Sequence, residues 1–172
     1  MDFFTLIKDR YSCRKFADKP VSDELIAKII EAGRIAPTAK NVQPVKVWVF
    51  RSAEALEKVK SCIPFEWVGN AQAVIAVGGT KGGAFIRPSD IRNFQDVDAS
   101  IVATHIMLAI HDLGLGSTWV GLFDVPKLMD LFPDTIWYDM IAMFPVGWPA
   151  DDAVPSERHY VRKSCDKLVD FV

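Results

Sequence analysis

The chain lacks every short signature that would place its chemistry on one side chain or on a metal. There is no GxSxG nucleophile elbow, no HExxH zinc helix, no GxxxxGK[ST] phosphate loop and no EF-hand loop. Histidine is scarce, with only His105, His111 and His159. His105 and His111 stand six positions apart on an apolar stretch, whereas two ligands sharing a helix face stand four apart, so no metal is expected. The cysteines are Cys13, Cys62 and Cys165, with no CxxC pair, and an odd number suits reduced thiols better than a disulfide framework. The apolar run Ala99 to His111 is too short to span a bilayer and contains Ser100 and Thr104, so no membrane span is expected. Met1 is not followed by a basic segment and a small-residue cleavage site, which makes a cytoplasmic location the expectation. Excess charge is missing too. A net charge of −2 and a pI near 5.9 give no general attraction to nucleic acid or to acidic membranes.

What is present is a globular composition. Half of the 172 residues are hydrophobic and 24% are charged, which excludes disorder and fits one domain. The positive charge gathers at the two ends of the chain. Lys8, Arg10 and Arg14 stand near the start, and Arg158, Arg162, Lys163 and Lys167 near the end. If the two stretches meet in the fold, they hold one anion between them.

Periodicity and capping outline the elements. A short helix over 2–9 is capped by Asp2, and a second helix follows Ser22 with Leu25, Ile26, Ile29 and Ile30 on its face. Val45 to Phe50 is β-branched and aromatic and predicts a strand; Ser52 caps a helix over 53–62. Ala73 to Val77 predicts a buried strand, and Gly78 to Gly83 a flexible loop after it. Thr80 to Phe94 has no period and is expected as a loop over a site or simply as a mobile loop. Asp96 to Leu113 is the strongest helix, apolar on nearly every face, which predicts burial in a core or at a subunit interface. Gly114 and Gly116 end it. Because Gly114-Leu115-Gly116 follows a helix and opens a strand, it is a helix stop and not a dinucleotide loop. Ser117 to Gly121 and Met140 to Val146 predict strands, with a helix capped by Asp124 between them, and Leu168 to Val172 is expected to add an edge strand. Helices and strands mix without βαβ alternation, so the fold class is α+β.

Two loops carry the candidate chemistry. Arg10, Ser12 and Arg14 alternate, and in extended chain alternate side chains point the same way. Two guanidinium forks and a hydroxyl on one side suit a phosphate, although a solvated basic loop has the same sequence. Ala36 to Pro44 sets Thr38, Asn41 and Gln43 between two prolines, and amides match a heterocycle that alternates carbonyls with ring nitrogens. A plain helix-to-strand turn reads the same.

The segments together resemble the nitroreductase family of flavoproteins. Arg10-x-Ser12-x-Arg14-x-Phe16 is similar to that family's opening motif, and Ala36-Pro37-Thr38-x-x-Asn41-x-Gln43-Pro44 to its second. Asp98 through Leu113-Gly114-Leu115-Gly116-Ser117-Thr118-Trp119-Val120-Gly121 resembles the third; Pro145-Val146-Gly147-Trp148-Pro149 and Arg162-Lys163 resemble its closing segments. The order and spacing agree over nearly the whole chain.

The resemblance implies a central, mostly antiparallel sheet flanked by helices, an intertwined homodimer and FMN at the subunit interface. Arg10, Ser12, Arg14, Arg162 and Lys163 would hold the phosphate end. Pro37, Thr38, Ala39, Asn41 and Gln43 would reach the flavin of the other subunit. Thr118, Val120 and Gly121 would lie along the isoalloxazine, with a backbone N–H of Val120 or Gly121 near N5. The implied activity is hydride transfer from NAD(P)H to flavin N5 and on to a small acceptor such as a nitroaromatic or quinone, with no catalytic side chain. Phe65, Trp67, Phe85 and Phe123 are candidates for the acceptor pocket. A flavin carrier or sensor without turnover, or specialised flavin chemistry on the same fold, would use the same residues.

Overall fold

The structure is a computed structural model that describes residues 2–80 and 82–172. Four strands form an antiparallel sheet in the order β1-β2-β6-β5: β1 is Val45–Phe50, β2 Ala73–Thr80, β6 Tyr138–Gly147 and β5 Gly116–Ser117. A separate hairpin pairs β3, Ile86–Arg87, with β4, Arg92–Asn93.

Strand alternation divides the core into two layers. Ala73, Ile75 and Val77 of β2 and Ala142, Phe144 and Val146 of β6 face one side. There they meet α2, Asp23–Arg34, and α4, Gln95–Asp112. Val74, Ala76 and Met143 face the other side, against α3, Ala53–Lys60, and α5, Val125–Leu131. The helix α1, Phe3–Asp9, lies outside both layers with Phe3, Phe4 and Ile7 exposed. Side-chain oxygens of Asp2, Ser22, Ser52 and Asp124 accept N–H groups at the starts of α1, α2, α3 and α5, as their residue types predict.

The α4 helix is central. Ala99, Val102, Ala103, Ile106 and Ile110 are buried against the sheet and α2, while Ile101, Thr104, His105, Met107 and Leu108 stay half-buried along its other faces. A shallow hollow of about 540 Å³ runs along Arg92, Asp96, Val97, Ser100, Ile101, Thr104 and His105. Gly33 lets α2 approach, since a β-carbon there would stand 2.8 Å from Ile106 Cγ1.

Several expectations are corrected. Gly78 and Gly79 belong to β2 and not to a loop; Lys81 lies outside the described residues. Their role is close approach, because a β-carbon on Gly79 would fall 2.5 Å from Gln95 Cγ, at the start of α4. The segment after β2 is not structureless: it forms the β3–β4 hairpin, closed by an ion pair between Arg87 and Asp90. The strand expected over Ser117 to Gly121 is cut to Gly116–Ser117, with one isolated bridge from Val120 to Met143. Leu168 to Val172 adds no edge strand. A short turn over Cys165–Lys167 precedes it, and Phe171 is 97% exposed. No helix of the described residues is long and apolar enough to cross a membrane, and they contain no cluster able to hold a metal ion.

Candidate functional site

The arginine loop runs in extended form along the end of the sheet. Cys13 N–H donates to Ser117 C=O at 2.9 Å, and the Thr118 hydroxyl donates to Cys13 C=O at 2.7 Å. Ala17 N–H donates to Trp148 C=O at 2.8 Å, and Ala150 N–H to Lys15 C=O at 3.1 Å. Strict alternation holds only to Arg14, since Lys15 is exposed and Phe16 is buried. Cys13 and Phe16 turn inward and are buried, against glycines that leave them room, Gly116 and Gly147. Arg10 and Ser12 are half-buried and Arg14 is exposed.

The two basic ends of the chain do meet. The charge of Arg162 acts on Arg10: burial first, and then that charge, pull the Arg10 guanidinium below its usual pKa. The tail is seated there by His159, whose Nε2 lies 3.1 Å from Lys8 C=O. A hollow of about 440 Å³ opens between Lys8, Asp9, Tyr11, His159, Tyr160 and Arg162. Tyr11 donates to Ala153 C=O at 3.3 Å, and burial together with Cys13 pushes its phenol up to about 12. Among the described residues no carboxylate pairs with Arg10, Arg14, Arg162 or Lys163. Arg10 and Arg162 thus stand close with no direct ion pair among the described residues, although Asp9 lines the same hollow and Glu66 and Asp152 line the one beside Arg14; unpaired guanidinium forks suit an oxyanion.

Arg14 has an apolar neighbour instead. Its guanidinium carbon lies 6.0 Å from the centre of the Trp67 ring, and Trp67 stacks on Phe65 with ring centres 5.8 Å apart. Phe85 is elsewhere, packed on Phe94 and covered by the Lys40 ammonium at 4.8 Å. Phe123 packs against the second core layer. The four aromatic candidates therefore do not share one pocket within the chain.

The amide loop is held in an uncommon shape. Lys40, Asn41 and Gln43 have φ of 52°, 55° and 57°, a left-handed region that residues with a β-carbon seldom adopt. Gln43 N–H donates to Thr38 Oγ1 at 3.0 Å, and Gln43 Nε2 to Asn41 Oδ1 at 3.1 Å. Ala39 N–H donates to Asp98 Oδ1 at 2.8 Å. Pro37, Asn41 and Gln43 are exposed, while Thr38 and Ala39 are half-buried.

The two loops sit at opposite ends of α4. The amide loop is tied to Asp98, and the arginine loop touches the other end, where Tyr11 meets His111 edge-on with ring centres 6.4 Å apart. His111 follows Asp98 by 13 residue steps along α4, about 20 Å at 1.5 Å per residue. One chain does not bring its two candidate loops together.

Backbone donors near Gly121 were the remaining expectation. The Val120 N–H is already bonded to Met143 C=O at 2.9 Å and the Val120 side chain is buried, so Val120 has no N–H to offer a ligand. Gly121 follows it, exposed. The Thr118 hydroxyl is likewise spent on Cys13. The sequence reading passed over Asp98 as an anchor and Cys13 as a packing residue. An acidic residue inside an apolar helix, and the inward position in an alternating segment, were the signals for them.

Comparison with known proteins settles the family. The model of the nitroreductase family matches residues 7–63 and 59–148. The chain belongs to the nitroreductase family. A Methanothermobacter thermautotrophicus protein named as an NADH dehydrogenase/NAD(P)H nitroreductase is 32% identical over 88% of this chain and 80% of its own length. A crystal structure of a nitroreductase family protein from Clostridium difficile superposes with a TM-score of 0.89 at 32% identity, covering 99% of this chain and 98% of the other. A nitroreductase from Exiguobacterium sibiricum, solved in complex with FMN, shares the fold with a TM-score of 0.83 at 21% identity over 100% of this chain and 98% of the other. Membership of this family makes the chain an oxidoreductase and confirms the α+β architecture of an antiparallel sheet between helices.

Proposed function

We propose that two copies of this chain form a homodimer with two FMN sites between them, and that the dimer passes reducing equivalents from NADH or NADPH to a small acceptor such as a nitroaromatic or a quinone. The observation that carries this reading is the separation of the two loops. Each is built for a ligand, yet about 20 Å of α4 lies between them in one chain. A second copy packed along α4 supplies each arginine loop with the amide loop it lacks. The exposed Phe3, Phe4, Tyr160, Leu168 and Phe171 offer further apolar surface for that contact.

When bound, FMN supplies the chemistry that accepts and returns a hydride. The protein's own residues bind and orient. Arg10, Ser12, Arg14, Arg162 and Lys163 would hold the phosphate end, with none of the four cations tied up in an ion pair among the described residues. Pro37, Thr38, Ala39, Asn41 and Gln43 of the second copy close the ring end. Gly121, next to the bonded Val120, keeps the backbone N–H that can donate to the ring, and Thr118 holds the arginine loop in place without touching the ligand. Phe65 and Trp67 form the apolar wall beside Arg14. The FMN reading is supported by relatives with nicotinamide-dependent names and by the FMN complex of a protein with this fold.

The test is a visible spectrum of the purified protein, reconstituted with FMN and titrated with NADH or NADPH without oxygen. Flavin bands that bleach on mixing are the expected result, and the nucleotide that bleaches them faster is the donor. Flavin bands that persist with both nucleotides would overturn the reductase reading and favour a flavin carrier.

A further inference from the structure

Asp98 is the one acidic side chain in the wall of α4 that is fully buried, 1% exposed. We infer that Asp98 is a positioning residue, holding the Thr38–Gln43 loop in the shape that presents Asn41 and Gln43 to the flavin site of the second subunit. The inference rests on the FMN-dimer reading and adds the residue that prepares one half of that site.

Four observations converge on it. The loop backbone is left-handed at Lys40, Asn41 and Gln43, a conformation the chain leaves readily unless its surroundings impose it. The bonds from Gln43 to Thr38 and to Asn41 are internal and exposed, so they fix the loop's shape but not its place on the body. The bond from Ala39 N–H to Asp98 Oδ1 at 2.8 Å is the side-chain tie that joins the loop to a rigid helix. Finally, Asp98 Oδ2 is buried with no hydrogen-bond partner among the described residues. A half-satisfied buried carboxylate weakens a fold. Its place in the first turn of α4, where the helix dipole favours an anion, offsets part of that cost. A residue that costs stability and yet orders a neighbouring loop is placed for the loop.

The test uses full-length Asp98→Ala and Asp98→Asn, with Ile106→Val as a core control on the same helix. Two readouts are taken: amide hydrogen exchange at Ala39 in the flavin-free protein, and FMN affinity by quenching of flavin fluorescence. Asp98→Ala should speed Ala39 exchange and weaken FMN, each about tenfold or more, the factor expected for losing one charge-assisted bond. Asp98→Asn keeps an oxygen acceptor and should return both to within about threefold of the parent. Ile106→Val should melt earlier with both readouts unchanged. Asp98→Leu replaces the alanine variant if that one does not fold. An alanine variant that binds FMN like the core control, or an asparagine variant no better than alanine, would overturn the role. A parent protein that takes up no FMN would sink the cofactor reading itself, while the exchange at Ala39 would still judge the tie.

Discussion

Gly116 faces Cys13 so closely that a β-carbon on the glycine would lie 2.6 Å from the Cys13 sulfur and 2.8 Å from its β-carbon. The arginine loop can lie flat on β5 only because that position has no side chain, and the spacing of Arg10, Ser12 and Arg14 over the surface depends on it.

Gly116→Ala should therefore lift the loop. The expected loss is about 1–3 kcal/mol of stability, the usual cost of overpacking, measured by urea unfolding. Adding Cys13→Ala removes the sulfur but leaves the 2.8 Å clash between β-carbons, so the double variant should recover only part of the loss. Full recovery would show that the sulfur alone is the obstacle.

Arg10→Ala and Arg14→Ala test the clamp. A charge-assisted bond contributes about 1.5–3 kcal/mol, so each variant should bind FMN roughly tenfold or more weakly. Neither residue has an ion pair to lose among the described residues, so thermal unfolding of the flavin-free protein should barely change. Equal FMN affinity in parent and variants by fluorescence titration would remove these arginines from the site.

Assembly is tested on α4. The parent should elute from a sizing column at about twice its 19.2 kDa. Ile101→Glu places a charge on a half-buried position of the helix, at the margin of the inner core and not within its buried set. It should give a folded monomer that has lost FMN. A dimer that survives the substitution would move the interface elsewhere.

His111 gives a pH signature. Burial first, then the positive charge of Arg10, lower its pKa, against the opposing pull of Asp9 and Asp112. The folded protein thus binds this proton less readily than the unfolded chain does. Stability from this group is complete above the ordinary imidazole pKa of about 6.5 and is lost as pH falls through it towards the lowered folded value. Unfolding midpoints should drop on acidification over that range, and His111→Gln should flatten the drop. An anion neutralising Arg10 should also raise the His111 pKa, visible as a shifted NMR titration on adding FMN or inorganic phosphate.

Much of this protein was legible in its residues. Ser22, Ser52 and Asp124 announced the helices they cap, and β1 was marked by its β-branched and aromatic run, because capping and alternation act over a few neighbouring positions. The motif order also named the family that the comparisons show. Long-range contacts decided the rest. Gly78 and Gly79 read as a loop, yet they extend β2, where β6 crowds Gly78 and the start of α4 crowds Gly79 so closely that neither has room for a β-carbon. Leu168 to Val172 read as a strand, but no sheet edge of its own receives it. The backbone of Val120 is claimed by Met143, and the Ala39 N–H by Asp98, pairings between residues far apart in the chain. The sequence by itself determined which segments carry the guanidinium and amide groups proposed for a phosphate and a heterocycle, since that is a matter of side-chain chemistry. Only the tertiary structure decided that Arg10 meets Arg162 and that the two loops stand at opposite ends of α4, because the length of one packed helix sets that distance.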